Sequence, residues 1–594
     1  MQKIPYMNRI IQYTLIAAIS LTVGVGNSQG QKPYGNFEEY ALDLLDRPNL
    51  VRKSEQQILF PEGLVALWTR ALDRNEAQLT RLVINSLAIA HIRGVPDTLS
   101  LQPKLVELAS RDDLDPQIAA AIAKTLVTFE AKDQSELLAS LAAEYGPMVA
   151  GIVEPALTQW QVDTLESRWL DRLRIGVAGE TETAFAIHGL VAINCVEATE
   201  LIRSLVLDEK QSPSIRLVAA RELGKLDRSG LIPLAEQLVA IDPDSTFHRL
   251  LAIESLSQHQ DDSSVKFFTA CLSVDSNAVQ AEAVRNLYRI KPSLVEALNE
   301  QLHQSTDANV RQHLINALAD SKSPSRIADL SFFLSDVNPK LRRNTASHMI
   351  ELAELPELKM EIIEAAVKVQ SKDQWQGCEQ ATFVLGTLKH LPSGSRMVEL
   401  LGHPRGDVKV AAAWGLNELK MPEHLPAMLE HAQSIWEGFQ SGQLSALTRG
   451  MTLHQAFLFN AFGDQLYEPA EPLLMYYVPK NFEIGIDARV AAVWALGKLH
   501  EDQPVDRLVA DLVERLEDNG QFPEIEDVRN MCGVSLGRMR AESALAAIER
   551  FANEGLTGCQ WALQRMTGKE PPKPRIDRIL IDDWFLSPAP NSSP

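Results

Sequence analysis

Cysteine is scarce in this chain: five in 594 residues, at positions 195, 271, 378, 532 and 559. No two stand at CxxC spacing, so the sequence offers neither a clustered thiolate metal site nor a haem attachment site. Cys195, Cys378 and Cys532 fall within or beside apolar helical stretches and read as small buried hydrophobes. Cys532 and Cys559 fall in consecutive helical units, where an oxidising compartment would allow a bridge. Basic runs are equally wanting. Lys and Arg number 57 against 78 Asp and Glu, a formal charge of −21, with no aromatic-basic stripe. A surface of that sign repels phosphate backbones, which argues against nucleic acid as a partner. No Walker loop, GxGxxG fingerprint, HExxH pair or EF-hand loop is present. The GxSxG spelled by "GNSQG" at 26–30 does not join a strand to a helix as a nucleophile elbow must. No catalytic residue, cofactor or metal is therefore expected.

Long hydrophobic runs are missing too. The most apolar stretch, Leu15–Val25, has eleven residues, short of the roughly 20 that span a bilayer. It follows Lys3 and Arg9 with no acid in the first thirty residues, and it gives way to small and polar residues. A basic start, a short apolar core and a small-residue exit describe a secretory signal peptide over 1–30, cleaved near Gly26 or Gly30. The expectation is an exported protein, periplasmic or extracellular, without stable membrane insertion. An uncleaved N-terminal anchor is the alternative.

What the sequence does contain is repetition. "DARVAAVWALGKL" from Asp487 has a near copy eighty residues earlier, "DVKVAAAWGLNEL" from Asp407. On a helical wheel Val490, Val493, Trp494 and Gly497 share one face, while Ala492, Leu496 and Leu499 share another. A helix apolar on two faces is sandwiched between neighbours. After a Pro-containing turn, Val505, Leu508, Val509, Leu512, Val513 and Leu516 form a single apolar stripe. The unit is a helix, a short turn and a second helix. Positions equivalent to Leu496 recur at Leu87, Leu126, Leu157, Leu190, Leu223, Leu256, Leu287, Leu318, Met349, Leu385, Leu416 and Leu536. Most intervals are 31 to 33 residues, and the wide gap before Leu496 must hold one more unit near Thr452–Leu466. These anchors predict an all-α, right-handed α-solenoid of about fourteen helix pairs, each covering its neighbours' apolar faces. Trp414 and Trp494, equivalent by repeat, belong in its core.

The helix starts repeat as well. Asp407, Asp487 and Asp527 stand where an N-cap belongs, and Lys409, Arg489 and Arg529 follow at a fixed place. Asp307 with Arg311 and Ser212 with Arg216 repeat the theme. These residues read as structural caps and a ladder bridging adjacent turns, the alternative being a charged binding track.

"DARVAAVWALGKL", "SIRLVAARELGKLDRSGLIPLAEQL" (Ser214–Leu238) and "DVRNMCGVSLGRM" (Asp527–Met539) resemble the HEAT-repeat superfamily, specifically the short phycobilisome-lyase type. They match its Asp-x-x-Arg-x-x-Ala-x-x-x-Leu-Gly pattern with one-residue shifts at the cap. The resemblance covers roughly 60 to 565 and implies a fold rather than an activity. Two activities of such proteins can be tested on the sequence. Deoxyhypusine hydroxylase holds two irons with several His-Glu dipeptides, whereas this chain has one, His500-Glu501. Phycobilin lyases act on a chromophore, and nothing here marks a pigment site. The thirteen histidines are scattered, His303 and His313 at different repeat phases.

The organisation expected is therefore a signal peptide at 1–30, an N-terminal capping segment at 31–59, a solenoid over 60–565 and a Pro-linked tail at 566–594. An insertion near 430–451 carries Trp436 and Phe439, which either contact a partner or pack inward on an extended repeat helix. The tail either covers the last helix face or docks another protein. The function expected is a non-catalytic scaffold whose concave face of second helices holds a protein partner with basic or mixed surface.

Overall fold

The computed structural model describes residues 58–59, 63–74, 76–111, 114–176, 178–444, 451–481, 484–569 and 579–580. Fourteen helical hairpins follow one another without interruption among these residues. The first pairs Ala77–Ile92 with Gln102–Ala109, and the last pairs Glu526–Met539 with Leu545–Asn553. One unpaired helix stands before the array, Leu64–Leu72, and one after it, Thr557–Thr567. Each first helix packs on the first helix of the next hairpin from one end to the other. The chain is an all-α solenoid. Among the described residues the strands are two of two residues each, Ile58–Leu59 and Ile579–Leu580, paired in parallel.

The anchors explain the stacking. Leu87, Leu126, Leu157, Leu190, Leu223, Leu256, Leu287, Leu318, Met349, Leu385, Leu416, Leu496 and Leu536 are each 2% exposed or less. Burying such a side chain stabilises by about 1.5–3 kcal/mol, and no hairpin can do so alone. The unit expected between Leu416 and Leu496 is present as Met451–Asp464 with Glu471–Met475.

First and second helices are built differently, as their sequences require. Ile486–Leu499 is buried at every position from Ala488 to Gly497. Its partner Asp506–Glu517 buries Leu508, Val509, Leu512, Arg515 and Leu516 and leaves Asp506, Arg507, Ala510, Glu514 and Glu517 exposed. Consecutive first helices come close enough that a side chain is excluded at the Leu-Gly glycine. A Cβ on Gly497 would lie 2.8 Å from the Ser535 Cα.

Trp414 and Trp494 lie in the core, 3% and 2% exposed. All five cysteines are buried free thiols, so Cys532 and Cys559 are not bridged. The segment expected to be a signal peptide, most of the expected N-terminal capping segment and most of the expected tail lie outside the described residues.

Candidate functional site

The recurrent cations are structural, and the geometry shows what they do. Counting four residues on from the N-cap of a first helix gives Arg216 after Ser212, Arg311 after Asp307, Arg342 after Asn338, Arg489 after Gly485 and Arg529 after Ile525. Each guanidinium turns back to a carbonyl at or just past the end of the preceding second helix. Arg216 donates to Val206 O at 2.9 Å, Arg311 to Ser305 O at 2.7 Å and Arg342 to Asp336 O at 2.9 Å. Arg489 donates to Tyr477 O at 3.4 Å, and Arg529 to Leu516 O at 3.0 Å. Helix C-termini carry unpaired carbonyls and a partial negative charge, which a cation satisfies.

Three of these arginines also reach forward, Arg342 to Glu379 at 3.9 Å and two others as forks. Arg489 forks onto Glu524 at 2.8 and 2.6 Å, just ahead of the next first helix, and both side chains are buried. Burial pushes the Glu524 carboxyl up, but the Arg489 fork and the Ile525 N–H outweigh it and hold the group below its ordinary value. Arg311 forks onto Asp336 in the same way at 2.7 and 3.0 Å. At these two places the arginine charge is taken up by a carboxylate of the next hairpin.

The acidic half of the cap pattern sits differently from expectation. Asp307 and Ser212 are N-caps, accepting from the backbone N–H groups of Val310 and Ile215. Asp407, Asp487 and Asp527 are not: the N-caps are Arg405, Gly485 and Ile525, and each aspartate lies within the first turn. These helices begin earlier than the aspartates suggested, which leaves the carboxylates where they still favour the helix dipole. Asp487 instead accepts from Thr452 Oγ1 of the preceding first helix at 3.3 Å. Lys409 occupies the ladder position of its hairpin and is half-buried, and its charge disfavours protonation of His431 and His454.

Trp436 and Phe439 stand on a regular second helix, Leu425–Gln440, rather than on an irregular insertion. Both are half-buried. The Trp436 ring stacks on Tyr476 with centroids 5.2 Å apart and planes 6° from parallel, and it leans on the fully buried Tyr477. Tyr476, 54% exposed, is the part of this aromatic group that meets solvent. Residues 445–450, in the second half of the expected insertion, lie outside the described residues.

A second row escaped the sequence reading although its period was visible. Two residues before successive anchors stand His188, Arg221, Glu254, Arg285 and Asn316. Neighbouring hairpins bond through this row. His188 meets Glu222 at 3.3 Å, Arg221 meets Glu254 at 2.9 Å, Arg285 meets Glu254 at 3.7 Å and His348 meets Asn316 at 3.3 Å. Further along the same register come Phe383, Trp414 and Trp494, all buried. Phe383 stacks on Trp414 at 4.9 Å. The row is polar from His188 to Asn316 and holds buried rings at these three later positions.

Among the described residues no three His, Cys, Asp or Glu side chains gather as a metal site. Nor is any described helix long and apolar enough to cross a membrane.

Residues 199–288 match the family model for HEAT repeats. None of the curated proteins matches the chain by sequence. Among solved structures, karyopherin Kap121p bound to the extreme C-terminus of the protein phosphatase Cdc14p is similar at a TM-score of 0.50 and 11% identity, over 86% of this chain and 57% of that one. A structure of Kap95p with RanGDP is similar at a TM-score of 0.49 and 11% identity, over 86% of this chain and 72% of that one. The chain thus spans little more than half the length of Kap121p, and at such identity the likeness shows the fold alone.

Proposed function

We propose that this HEAT-repeat protein is a non-catalytic scaffold that holds a protein partner against the open faces of its second helices. One contrast carries the reading. First helices spend their surfaces on one another, as Ile486–Leu499 does, whereas second helices bury one stripe and keep the other face free. On Pro356–Gln370 that free face carries Glu357, Glu361 and Glu364 beside Met360, which is 60% exposed. Acidic groups around an apolar centre suit a partner of basic or mixed surface. Export to a periplasm or the exterior is part of the same proposal and rests on the N-terminal sequence.

Charge reversal tests it. Glu357→Lys, Glu361→Lys and Glu364→Lys together leave the buried stripe Leu358, Ile362, Ala366 and Val369 untouched. Cross-linking in cells should then lose the partner captured by the wild type while the variant keeps its melting temperature. Equal capture by both would remove this face from the interface. N-terminal sequencing of the protein isolated from the envelope or medium checks cleavage near Gly26 or Gly30. Recovery of the intact N-terminus from the cytoplasm would end the export proposal.

A further inference from the structure

The two ends of the array meet. Ile58–Leu59, ahead of the first helix, pairs in parallel with Ile579–Leu580, beyond the last, with Ile58 opposite Ile579 and Leu59 opposite Leu580. The sequence predicts a tail that covers the last helix face or docks another protein. Its described part lies instead against the segment that leads into the array.

That pairing limits the shape of everything between. Leu64 follows Leu59 by five residues, and Ile579 follows Lys569 by ten. A chain spans at most about 3.6 Å per residue and paired strands lie about 4.8 Å apart, so Leu64 and Lys569 stand within about 60 Å of each other. The distance along the stack is far longer. Fourteen hairpins separate the two residues, and at about 8–10 Å between packed helices the row runs for about 110–140 Å. A straight row cannot bring its ends within about half that length. Bent evenly, it turns through more than half a circle, or about 15° at each junction, the small rotation between neighbours that curves repeat arrays.

The pairing is also slight. Two strands alone are marginal in water, and these have two residues each. Each strand meets the other more than it meets any helix. Such a contact holds because the curved array keeps the two ends at a high concentration about one another. Closing costs little while the array stays bent, and straightening it pulls the strands apart.

We propose that the two strands form a clasp that ties the ends of the solenoid together, holds the array closed and parts when the array opens. In the scaffold proposed above, a folded partner would enter the bend with the clasp open and be retained once it shuts. The clasp itself is tested without any partner.

Two measurements on the full chain test it. Leu59→Cys with Leu580→Cys should form a disulfide within one chain under mild oxidation, because these positions pair in register and the five native thiols are buried. Spin labels on Ala66→Cys and Lys569→Cys, both exposed, should report a separation within about 60 Å. Ile579→Pro with Leu580→Pro removes backbone donors from the ladder. It should lengthen and broaden that separation and raise the radius of gyration, while the helices keep their melting temperature. Absence of the cross-link, cross-links only between chains, a label separation well beyond about 60 Å, or a separation that the proline variant leaves unmoved would each overturn the proposal.

Discussion

Arg489→Met should be among the most damaging single substitutions in the array. The guanidinium is 1% exposed and its partner Glu524 is fully buried. Without it the Glu524 carboxylate keeps one backbone donor, the Ile525 N–H at 2.9 Å. Stranding a buried charge in this way costs about 3–5 kcal/mol. The converse change is milder, because Arg489 keeps Tyr477 O at 3.4 Å and Val478 O at 3.5 Å as acceptors. Glu524→Gln should therefore cost about 1–3 kcal/mol. Removing both charges as Arg489→Met with Glu524→Met should cost less than Arg489→Met alone, since nothing charged is left in the dry interior.

Urea unfolding gives the totals, and hydrogen exchange over 477–540 gives the place, because repeat arrays open locally. The pH dependence adds a sign. Glu524 titrates below the ordinary 4.5 in the fold, so its contribution is complete above that value and disappears as pH falls through the lower folded one. The double variant should lack that acid-side loss. The reasoning fails if Arg489→Met costs under about 1 kcal/mol, well short of a stranded buried charge, with exchange over 477–540 unchanged. It fails equally if the double variant costs the sum of the singles.

Gly537→Ala gains about 1 kcal/mol of helix propensity but sets a methyl 2.6 Å from the Ala562 Cα, an overpacking that costs about 1–3 kcal/mol. Its melting temperature should fall, and a rise would refute the close approach. Leu466, 56% exposed, closes a first helix at φ 50°. Leu466→Gly should stabilise by about 0.5–1 kcal/mol in urea, glycine being free of the left-handed strain. His431 and His454 are neutral in the fold and take protons when unfolded from about 6.5 downward, so stability should decline as pH falls from 6.5 toward 4. The paired change His431→Gln with His454→Gln should flatten that stretch of the curve, and an unchanged slope would show that these rings are not the titrating groups.

The array was legible because each first helix buries the same leucine at the same phase, and burial repeats in sequence as it does in space. The second-helix stripe Leu508, Leu512 and Leu516 was legible for the same reason. Helix starts were not. Asp487 is a good cap by composition, yet the helix begins at Ile486 because Gly485, at φ 83°, turns the chain there. The ladder was half legible. Arginine repeats visibly, but Gln280 donates to Val274 O at 2.8 Å, and Cys378 approaches Lys372 O at 2.8 Å, from the same position with different chemistry. Trp436 was misplaced on an insertion because Gly438 and Gly442 suggested a break. Gly438 in fact lies inside the helix against Leu444, and the stacking partner Tyr476 belongs to the next hairpin. The meeting of His431 with His454 likewise joins two hairpins, and no local pattern announces it.

The row two residues before each anchor divides the array by access. From His188 to Asn316 it holds charged and amide side chains that bond across hairpins; Glu254 is buried, and the others keep part of their surface in water. At Phe383, Trp414 and Trp494 it holds rings instead, and neighbouring first helices pack closely around them. A Cβ on Gly463 would lie 2.5 Å from the Trp494 ring and 2.8 Å from the Ala495 Cα. Such contact buries first helices such as Ile486–Leu499 and leaves the outer faces of second helices such as Asp506–Glu517 exposed in the later hairpins. Over the earlier hairpins a partner could also meet the polar row, whose exposed arginines Arg221 and Arg285 would oppose a basic surface. A basic partner is thus better matched by the later second helices, where Glu357, Glu361, Glu364, Asp506 and Glu514 face solvent.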